Sequence, residues 1–239
     1  MQFKLPPLSN NQLIISTAIF FMLVANQTFF NHVLTIYPLN LKNIGFLITL
    51  FFGFTSAIIL VLSLFGTRYT LKPLIISLLL ISAFTSYFMD SYNTVIDTSM
   101  IENIIHTNVH ESLDLLSFSL ILYVIFLGIL PALLVYKLPI HFQSGIRGLW
   151  SKLKLIMIIL VLVFSSIFMY SDFFSSFWRE HKSLRYYANP SFYLYSSGKY
   201  ISSLFKSQSL PLQPIGLDAH ILNTDTPNNT FAKRTKSVF

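Results

Sequence analysis

The sequence predicts an all-α integral membrane protein, a five-transmembrane-helix bundle with further helices at the membrane interface and a C-terminal linker. Hydrophobic residues make up 54% of the 239 positions, and charged residues make up only 10%. A soluble domain has no means of burying so much apolar surface. Apolar runs of the length that a bilayer requires recur along the chain, with polar or basic segments between them.

Five apolar runs are interpreted as spans, at about 13–30, 44–65, 74–89, 118–136 and 155–170. The first run is too long for a signal peptide and lacks a small-x-small cleavage site, so we expect it to be retained. A loop is expected to follow at 31–43, where Tyr37-Pro38 breaks the helix. Gly45 and Gly53 allow close packing of the second span, and Pro131 is expected to kink the fourth.

The charges of the connecting segments predict the topology. Lys4, the turn at 66–73 and the loop at 137–154 carry Lys and Arg, whereas the alternate connections at 31–43 and 92–116 are nearly or wholly free of them. The positive-inside rule then places the N-terminus in the cytoplasm and everything after Tyr170 outside. The net charge of +7 therefore indicates topology and contact with anionic lipid, and no nucleic-acid partner is expected. The chain has no cysteine, which excludes disulfide and thiolate chemistry.

Residues 92–116, YNTVIDTSMIENIIHTNVHESLDLL, form one polar passage between apolar runs. A helix over about 98–114, capped by Asp97 or Thr98, would place Asn103, Thr107 and Glu111 at i, i+4 and i+8. These positions share one face, so they form a polar stripe. A stripe at the mouth of a membrane bundle suits a lipid headgroup; the alternative is a helix with a solvated face.

A second stripe in the same passage has Glu102, His106 and His110 at metal-ligand spacing. Paired histidines on an exposed helix face are also common without any metal. The sequence analysis therefore assigns no metal ligand and no cofactor to this chain.

The segment at 171–205 mixes aromatic and basic residues and is interpreted as interfacial. Such a segment can rest its rings on the membrane and direct its bases toward phosphates; the alternative is an aromatic belt that only anchors the fifth span. Asn189-Pro190 is expected to end its first element, and Ser197-Gly198 to form a turn. Residues 206–239 are interpreted as a linker, whose last residues suggest the threshold of a further domain. The candidate lipid-phosphate or interface contacts are Trp178, Arg179, Lys182 and Arg185.

Several ordered stretches resemble the N-terminal membrane domain of the lipid A phosphoethanolamine transferases, a family that includes the transferable colistin-resistance enzymes. They are Ala25-Asn26-Gln27-Thr28-Phe29-Phe30, Arg68-Tyr69-Thr70-Leu71-Lys72-Pro73, Thr85-Ser86-Tyr87-Phe88-Met89-Asp90, Thr94-Val95-Ile96-Asp97 through Glu111, and Arg179-Glu180-His181-Lys182-Ser183-Leu184-Arg185 with Asn189-Pro190. The resemblance covers the chain to about Phe205.

The resemblance implies a bundle in the bacterial inner membrane that tethers a periplasmic, zinc-dependent domain of alkaline-phosphatase-like fold. Such enzymes use a threonine nucleophile to move phosphoethanolamine from phosphatidylethanolamine to a lipid A phosphate. It further implies that Asn103, Thr107 and Glu111 help to hold the lipid substrate, while zinc and nucleophile belong to the domain expected beyond this chain. These residues alone are therefore expected to be inactive.

Two other classes of protein are alternatives to a transferase domain. A transporter or channel is disfavoured because the apolar runs carry no ionisable residue at mid-depth. A stand-alone, non-catalytic lipid-binding or anchoring membrane protein remains the alternative interpretation.

Overall fold

Backbone groups inside a bilayer have no water to bond, so the apolar runs must satisfy their own hydrogen bonds as helices. The computed structural model describes residues 8–141 and 145–207. The chain separates into two units, Met1–Ser203 and Leu204–Phe239, and the account below concerns the first. Within the described residues, the elements are α1 Asn10–Val24, α2 Gln27–Ile36, α3 Ile44–Phe65, α4 Leu71–Tyr92, α5 Thr98–His106, α6 Val109–Asp114, α7 Phe118–Tyr123, α8 Leu130–Lys137, α9 Gly145–Met169, α10 Ser171–Arg179 and α11 Ser191–Ser207.

Four shorter elements complete this list. A π-helical turn, Val124–Ile129, joins α7 to α8, and a 3₁₀ helix, Lys182–Tyr187, follows α10. The strands β1 Leu8–Ser9 and β2 Ile140–His141 form a two-residue parallel ladder.

Among the residues that the structure describes, four helical stretches are long and apolar enough to cross a membrane: Ile44–Phe65, Leu71–Tyr92, Phe118–Lys137 and Ile146–Met169. The pair α1 and α2 becomes the fifth span if the two bent helices count as one. The protein is therefore a helical integral membrane protein, as the sequence predicts. The second span has the expected bounds, whereas the third extends from Leu71 to Tyr92, beyond the expected 74–89.

The prediction of one straight helix over 13–30 is wrong. The chain bends by 60° between α1 and α2, and the second helix continues to Ile36. Asn26 lies at the bend, where its side-chain amide donates to the Phe21 carbonyl at 2.9 Å. The Phe21 carbonyl also accepts from the Ala25 N–H at 3.0 Å, so the Asn26 side chain adds a second bond at the end of α1 and is itself satisfied inside the bundle.

The predicted loop over 137–154 is largely helical, because α9 begins at Gly145 and not near residue 155. One of its basic residues, Lys152, reaches polar backbone groups through its long side chain. Lys152 Nζ donates to the carbonyl oxygens of Ser63 and Gly66, where α3 ends. A cation at the carbonyl end of a helix is favourable, so Lys152 stabilises the end of α3.

The predicted turn at Ser197-Gly198 is also wrong, since both residues lie inside α11. In the fourth span, Pro131 follows a π-helical turn in which the Leu130 N–H bonds to the Ile125 carbonyl. Proline cannot donate a backbone hydrogen bond, and such turns are a recognised way of accommodating it.

Two apolar clusters hold the helices together. The larger cluster joins α1, α3 and α4 through fully buried side chains such as Ile14, Phe21, Leu62 and Ile75. The second cluster, which includes Phe29, Phe46, Phe177 and Leu184, joins α2, the first half of α3 and the segment 170–188. The Tyr170 ring lies where a Cβ on Gly45 would stand, so this glycine allows the expected close approach; nothing lies within 4 Å of the corresponding point on Gly53.

Candidate functional site: the polar end of the bundle

The start of α3, the end of α4, the polar passage and the segment 170–191 lie at the same end of the bundle, which we call the polar end. Tyr87 and Ser117 approach to 2.6 Å between their hydroxyls, and the Tyr187 hydroxyl donates to the Asn93 carbonyl at 3.4 Å. Asn93 adopts a left-handed conformation, with φ of 53°, where α4 gives way to the polar passage. Asparagine tolerates that conformation, so the residue ends the helix and turns the chain.

The polar passage does not form one helix. Asp97 caps α5 as predicted, but α5 ends at His106 and α6 begins only at Val109. Thr107 is extended, with ψ of 130°, and the Asn108 side chain accepts from the Glu111 N–H at 3.0 Å as an N-terminal cap. Asparagine is a strong capping residue, so position 108 starts a new helix in preference to continuing the old one.

The continuous stripe of Asn103, Thr107 and Glu111 is therefore a wrong geometric prediction, although Asn103 and Thr107 stay hydrogen-bonded to each other at the break. The Thr107 hydroxyl and N–H both donate to the Asn103 carbonyl, at 2.6 and 2.8 Å. Asn103 and Glu111 are exposed, and within 8–141 and 145–207 neither the Asn103 amide group nor the Glu111 carboxylate has a recorded partner. These groups therefore remain free to meet a ligand.

The second stripe is divided by the same break. His106 ends α5, whereas His110 lies in α6 and approaches Asp114 to 3.7 Å. Among the described residues, no three His, Cys, Asp or Glu side chains are placed to hold a metal ion. The ligand chemistry of the described part of the chain therefore gives zinc no site.

The interfacial segment divides the four candidate phosphate contacts into two pairs. The Arg185 guanidinium lies 4.4 Å from the centre of the Trp178 ring. This distance is typical of a cation–π contact. Both residues line an open cleft of about 830 Å³, whose other lining residues include Asp97, Phe192, Tyr195 and Lys199. Arg179 and Lys182 are exposed and lie outside this lining.

Asp97 forms the wall of this cleft that belongs to α5. Its Oδ1 accepts from the Met100 N–H and the Ser99 hydroxyl, both at 2.8 Å. The hydrogen bond from Met100 is the largest cause of the lowered pKa of the Asp97 carboxyl group. Because these donors stabilise the ionised form, the carboxylate stays charged at neutral pH.

Sequence analysis missed a buried hydrogen-bond cluster behind the polar end, centred on Asn26 and Asn189. The Asn189 N–H donates to the Asn26 side-chain oxygen at 2.8 Å, and its amide group donates to the hydroxyls of Thr85 and Ser86 at 2.9 and 3.0 Å. The Ser82 hydroxyl donates to the Asn189 side-chain oxygen at 3.0 Å. The sequence feature that could have indicated this cluster is the asparagine inside the first apolar run, together with the Asn189-Pro190 pair. The peptide bond of that pair is cis.

Comparison with known proteins identifies relatives of the whole described bundle. Residues 54–205 match the model of the family described as phosphoethanolamine transferase EptA/EptB. The chain is 39% identical over 204 residues to phosphatidylethanolamine transferase Mcr-1 from Escherichia coli, covering 85% of this chain and 38% of the relative. It is 32% identical over 221 residues to phosphoethanolamine transferase EptA of E. coli strain K12, covering 91% and 40% respectively.

A solved structure has the same fold. The integral membrane lipooligosaccharide phosphoethanolamine transferase A (EptA) from Neisseria meningitidis superposes with a TM-score of 0.80 at 24% identity. The match covers 88% of this chain and 41% of that one. The chain thus spans about two-fifths of the length of the relatives that it matches.

Proposed function

Because the chain belongs to the EptA/EptB phosphoethanolamine transferase family, we propose that it is the membrane domain of such an enzyme, in the bacterial inner membrane with a periplasmic polar end. The whole enzyme moves phosphoethanolamine from phosphatidylethanolamine to a lipid A phosphate, which lowers sensitivity to polymyxins such as colistin. This domain anchors the enzyme and presents the lipid donor. The zinc-dependent step belongs to a catalytic domain outside this chain.

The Glu111 carboxylate carries the proposal for donor binding. It is exposed at the polar end of a membrane bundle, and no partner is recorded for it within the described ranges. A carboxylate in that position attracts the primary ammonium of ethanolamine through a charge-assisted hydrogen bond. The Asn103 amide and the Thr107 hydroxyl supply the complementary donors to phosphate or ester oxygens. To do so, the Thr107 hydroxyl must give up its hydrogen bond to the Asn103 carbonyl.

Two short helices can hold the headgroup as well as one continuous polar stripe could. A rigid helix fixes the three side chains on one line, whereas two short helices joined at Thr107-Asn108 let Glu111 and Asn103 approach a headgroup from different directions. The junction is half-buried at Thr107 and exposed at Asn108, so a lipid reaches it without displacing fully buried side chains.

The test is a chimera that joins this chain to the remaining part of Mcr-1. Glu111→Ala removes the only charge of the three residues, and a charge-assisted hydrogen bond is worth about 1.5–3 kcal/mol, so donor binding should weaken roughly tenfold to a hundredfold. Asn103→Ala and Thr107→Ala should have smaller effects. The measurement is transfer rate against phosphatidylethanolamine concentration, at matched expression and thermal stability.

Glu102→Ala provides the matched control, since Glu102 is an exposed carboxylate on α5 outside the proposed set. It should leave the transfer kinetics unchanged. Wild-type kinetics for Glu111→Ala would instead show that the polar passage is only a solvated cover, and the anchoring-module interpretation would then stand.

A further inference from the structure

The cleft beside Trp178 holds two cations from different elements. Arg185 comes from the 3₁₀ helix and Lys199 from α11, and both line the same cleft of about 830 Å³. Within the described residues neither side chain forms an ion pair, and the Nε atom of Arg185 is buried without a hydrogen-bond partner. A buried guanidinium N–H without a partner is costly, so a ligand that accepts its hydrogen bond is favoured at this position.

The charge balance of the cleft favours an anion. Arg185 and Lys199 are opposed by one lining carboxylate, Asp97, so the ionisable lining has a net charge of +1. The Oδ1 atom of Asp97 is already engaged by Ser99 and Met100 at the start of α5. A planar guanidinium with a nearby ammonium is the donor set that proteins use for phosphate.

Aromatic side chains line the cleft as well, beside smaller apolar and hydroxyl residues. Phe192 and Tyr195 come from α11, and Phe54 comes from α3, ten residues after its start at Ile44. At 1.5 Å per residue, Phe54 lies about 15 Å along a membrane-spanning helix. The cleft therefore extends from the polar end into the apolar depth of the bundle, which suits an amphiphile better than a small soluble anion.

We propose that this cleft is a second lipid site, in which Arg185 and Lys199 hold the phosphate of an anionic phospholipid with a phosphomonoester headgroup, while Phe54, Phe192 and Tyr195 contact its apolar part. The Trp178 ring contacts the guanidinium and helps to position it. The site is distinct from Asn103, Thr107 and Glu111, and it requires no catalytic step. It is therefore independent of the proposed transferase function.

Trp178 provides a reporter for this site. The chain has only two tryptophans, and Trp150→Phe, a change in the first part of α9, leaves Trp178 as the single emitter. The full chain in phosphatidylcholine nanodiscs is titrated with dioctanoyl phosphatidic acid, dioctanoyl phosphatidylcholine and inorganic phosphate. We expect a saturable change in Trp178 emission with phosphatidic acid, at concentrations where the other two probes give none.

Charge-matched variants locate the site. Arg185→Ala and Lys199→Ala should each weaken phosphatidic acid binding about tenfold, as expected for loss of one hydrogen bond between charged groups. Arg179→Ala and Lys182→Ala remove the same charges from exposed positions outside the cleft, and should change the affinity by less than about twofold. Because Arg185 also contacts Trp178, its loss can weaken the fold, and Lys199→Ala at an exposed position tests the site separately.

Three results would overturn the proposal. Equal weakening by the control variants would mean diffuse surface charge and no defined site. An equal response to zwitterionic phosphatidylcholine, or no response to phosphatidic acid, would exclude recognition of an anionic phosphate headgroup. Saturation by inorganic phosphate in the same concentration range would assign the two cations to a free anion and exclude the lipid.

Discussion

At the scale of single residues, Asp97 determines where the polar passage becomes helical. Its side chain accepts the Met100 N–H at the start of α5 and lies in the wall of the cleft. The sequence predicted this cap, because aspartate before an apolar-periodic segment is a typical helix start. The two roles are separable, since capping needs an oxygen acceptor and the effect on the cleft needs the charge.

Asp97→Ala should lower the free energy of unfolding by about 1 kcal/mol, the usual effect of losing a helix cap. Asp97→Asn keeps a capping oxygen and should retain most of that stability. Thermal unfolding of the chain in detergent measures both. Asp172→Ala, which removes an exposed carboxylate from the first turn of α10, is the control for charge alone; equal losses in the two alanine variants would contradict the capping role.

The lowered pKa of the Asp97 carboxyl group also sets the direction of a pH dependence. A group whose pKa is lower in the folded state contributes stability above its unfolded pKa of about 4, and this contribution is lost as the pH falls through the folded value. The wild-type chain should therefore lose more stability than Asp97→Asn on acidification below about pH 4. Parallel melting curves for the two proteins from pH 6 to pH 3 would contradict this account.

At the scale of elements, the bend between α1 and α2 depends on the cluster of Asn26 and Asn189. Asn26 is buried and bridges the Phe21 carbonyl near the end of α1 to the backbone of Asn189. Its replacement removes the Asn26 partner of the buried Asn189 backbone N–H and carbonyl, whereas the Asn189 side chain keeps its bonds to α4. The cluster therefore fixes the position of α2 relative to α11.

Asn26→Leu should destabilise the folded state by about 1–3 kcal/mol, the cost of leaving buried polar groups without partners. Gln27→Leu is a matched control, because Gln27 is the neighbouring amide and is exposed, so its effect should stay within about 0.5 kcal/mol. Unfolding midpoints in mixed micelles compare the two variants. A smaller loss for Asn26→Leu than for Gln27→Leu would show that the bend does not need the cluster.

The spans themselves were predictable from the sequence, because length and apolar composition determine which runs cross a bilayer. The breaks were not. A hydropathy pattern shows Asn26 as one polar residue in an apolar run, but its partner Asn189 is 163 positions away. Likewise, the spacing of Asn103, Thr107 and Glu111 is compatible with one helix, and only the local capping by Asn108 divides it.

Only some of the residues that line the basic cleft could be predicted from the sequence. Composition identified Trp178 and Arg185 as candidate lipid contacts, together with Arg179 and Lys182, which the structure places outside the cleft. Lys199 could not be identified, because the sequence predicts a turn at Ser197-Gly198, and both of these residues lie inside helix α11. A tertiary cleft brings together residues from segments whose mutual positions periodicity does not encode.

At the scale of the whole molecule, the basic and polar ends of the bundle predict one orientation. Lys72 donates to the carbonyl oxygens of Tyr136 and Leu138, and Lys152 to those of Ser63 and Gly66, at the end opposite the polar passage. An alkaline phosphatase reporter after Phe239 should be active, and one inserted near Gly145 inactive, because the basic end stays in the cytoplasm. The reverse activity at either position would contradict the five-span topology.

The chain by itself should release no phosphoethanolamine from a fluorescent phosphatidylethanolamine. Among its described residues no three His, Cys, Asp or Glu side chains are placed to hold a metal ion, and the proposed transfer step depends on a metal. The chimera with Mcr-1 is the positive control for the assay. Zinc-dependent release by the purified 239-residue chain would show that these residues contain a catalytic site.

We propose above that Glu111 at the polar end recognises the donor headgroup. Equilibrium lipid binding by the chain itself measures this recognition without any catalytic step. Phosphatidylethanolamine carries a primary ammonium that donates hydrogen bonds, whereas the quaternary ammonium of phosphatidylcholine donates none. The wild-type chain should therefore bind dioctanoyl phosphatidylethanolamine about tenfold more tightly, and Glu111→Gln should abolish that preference while Glu102→Gln keeps it. Equal affinity for the two lipids, or a preference that survives Glu111→Gln, would contradict the account.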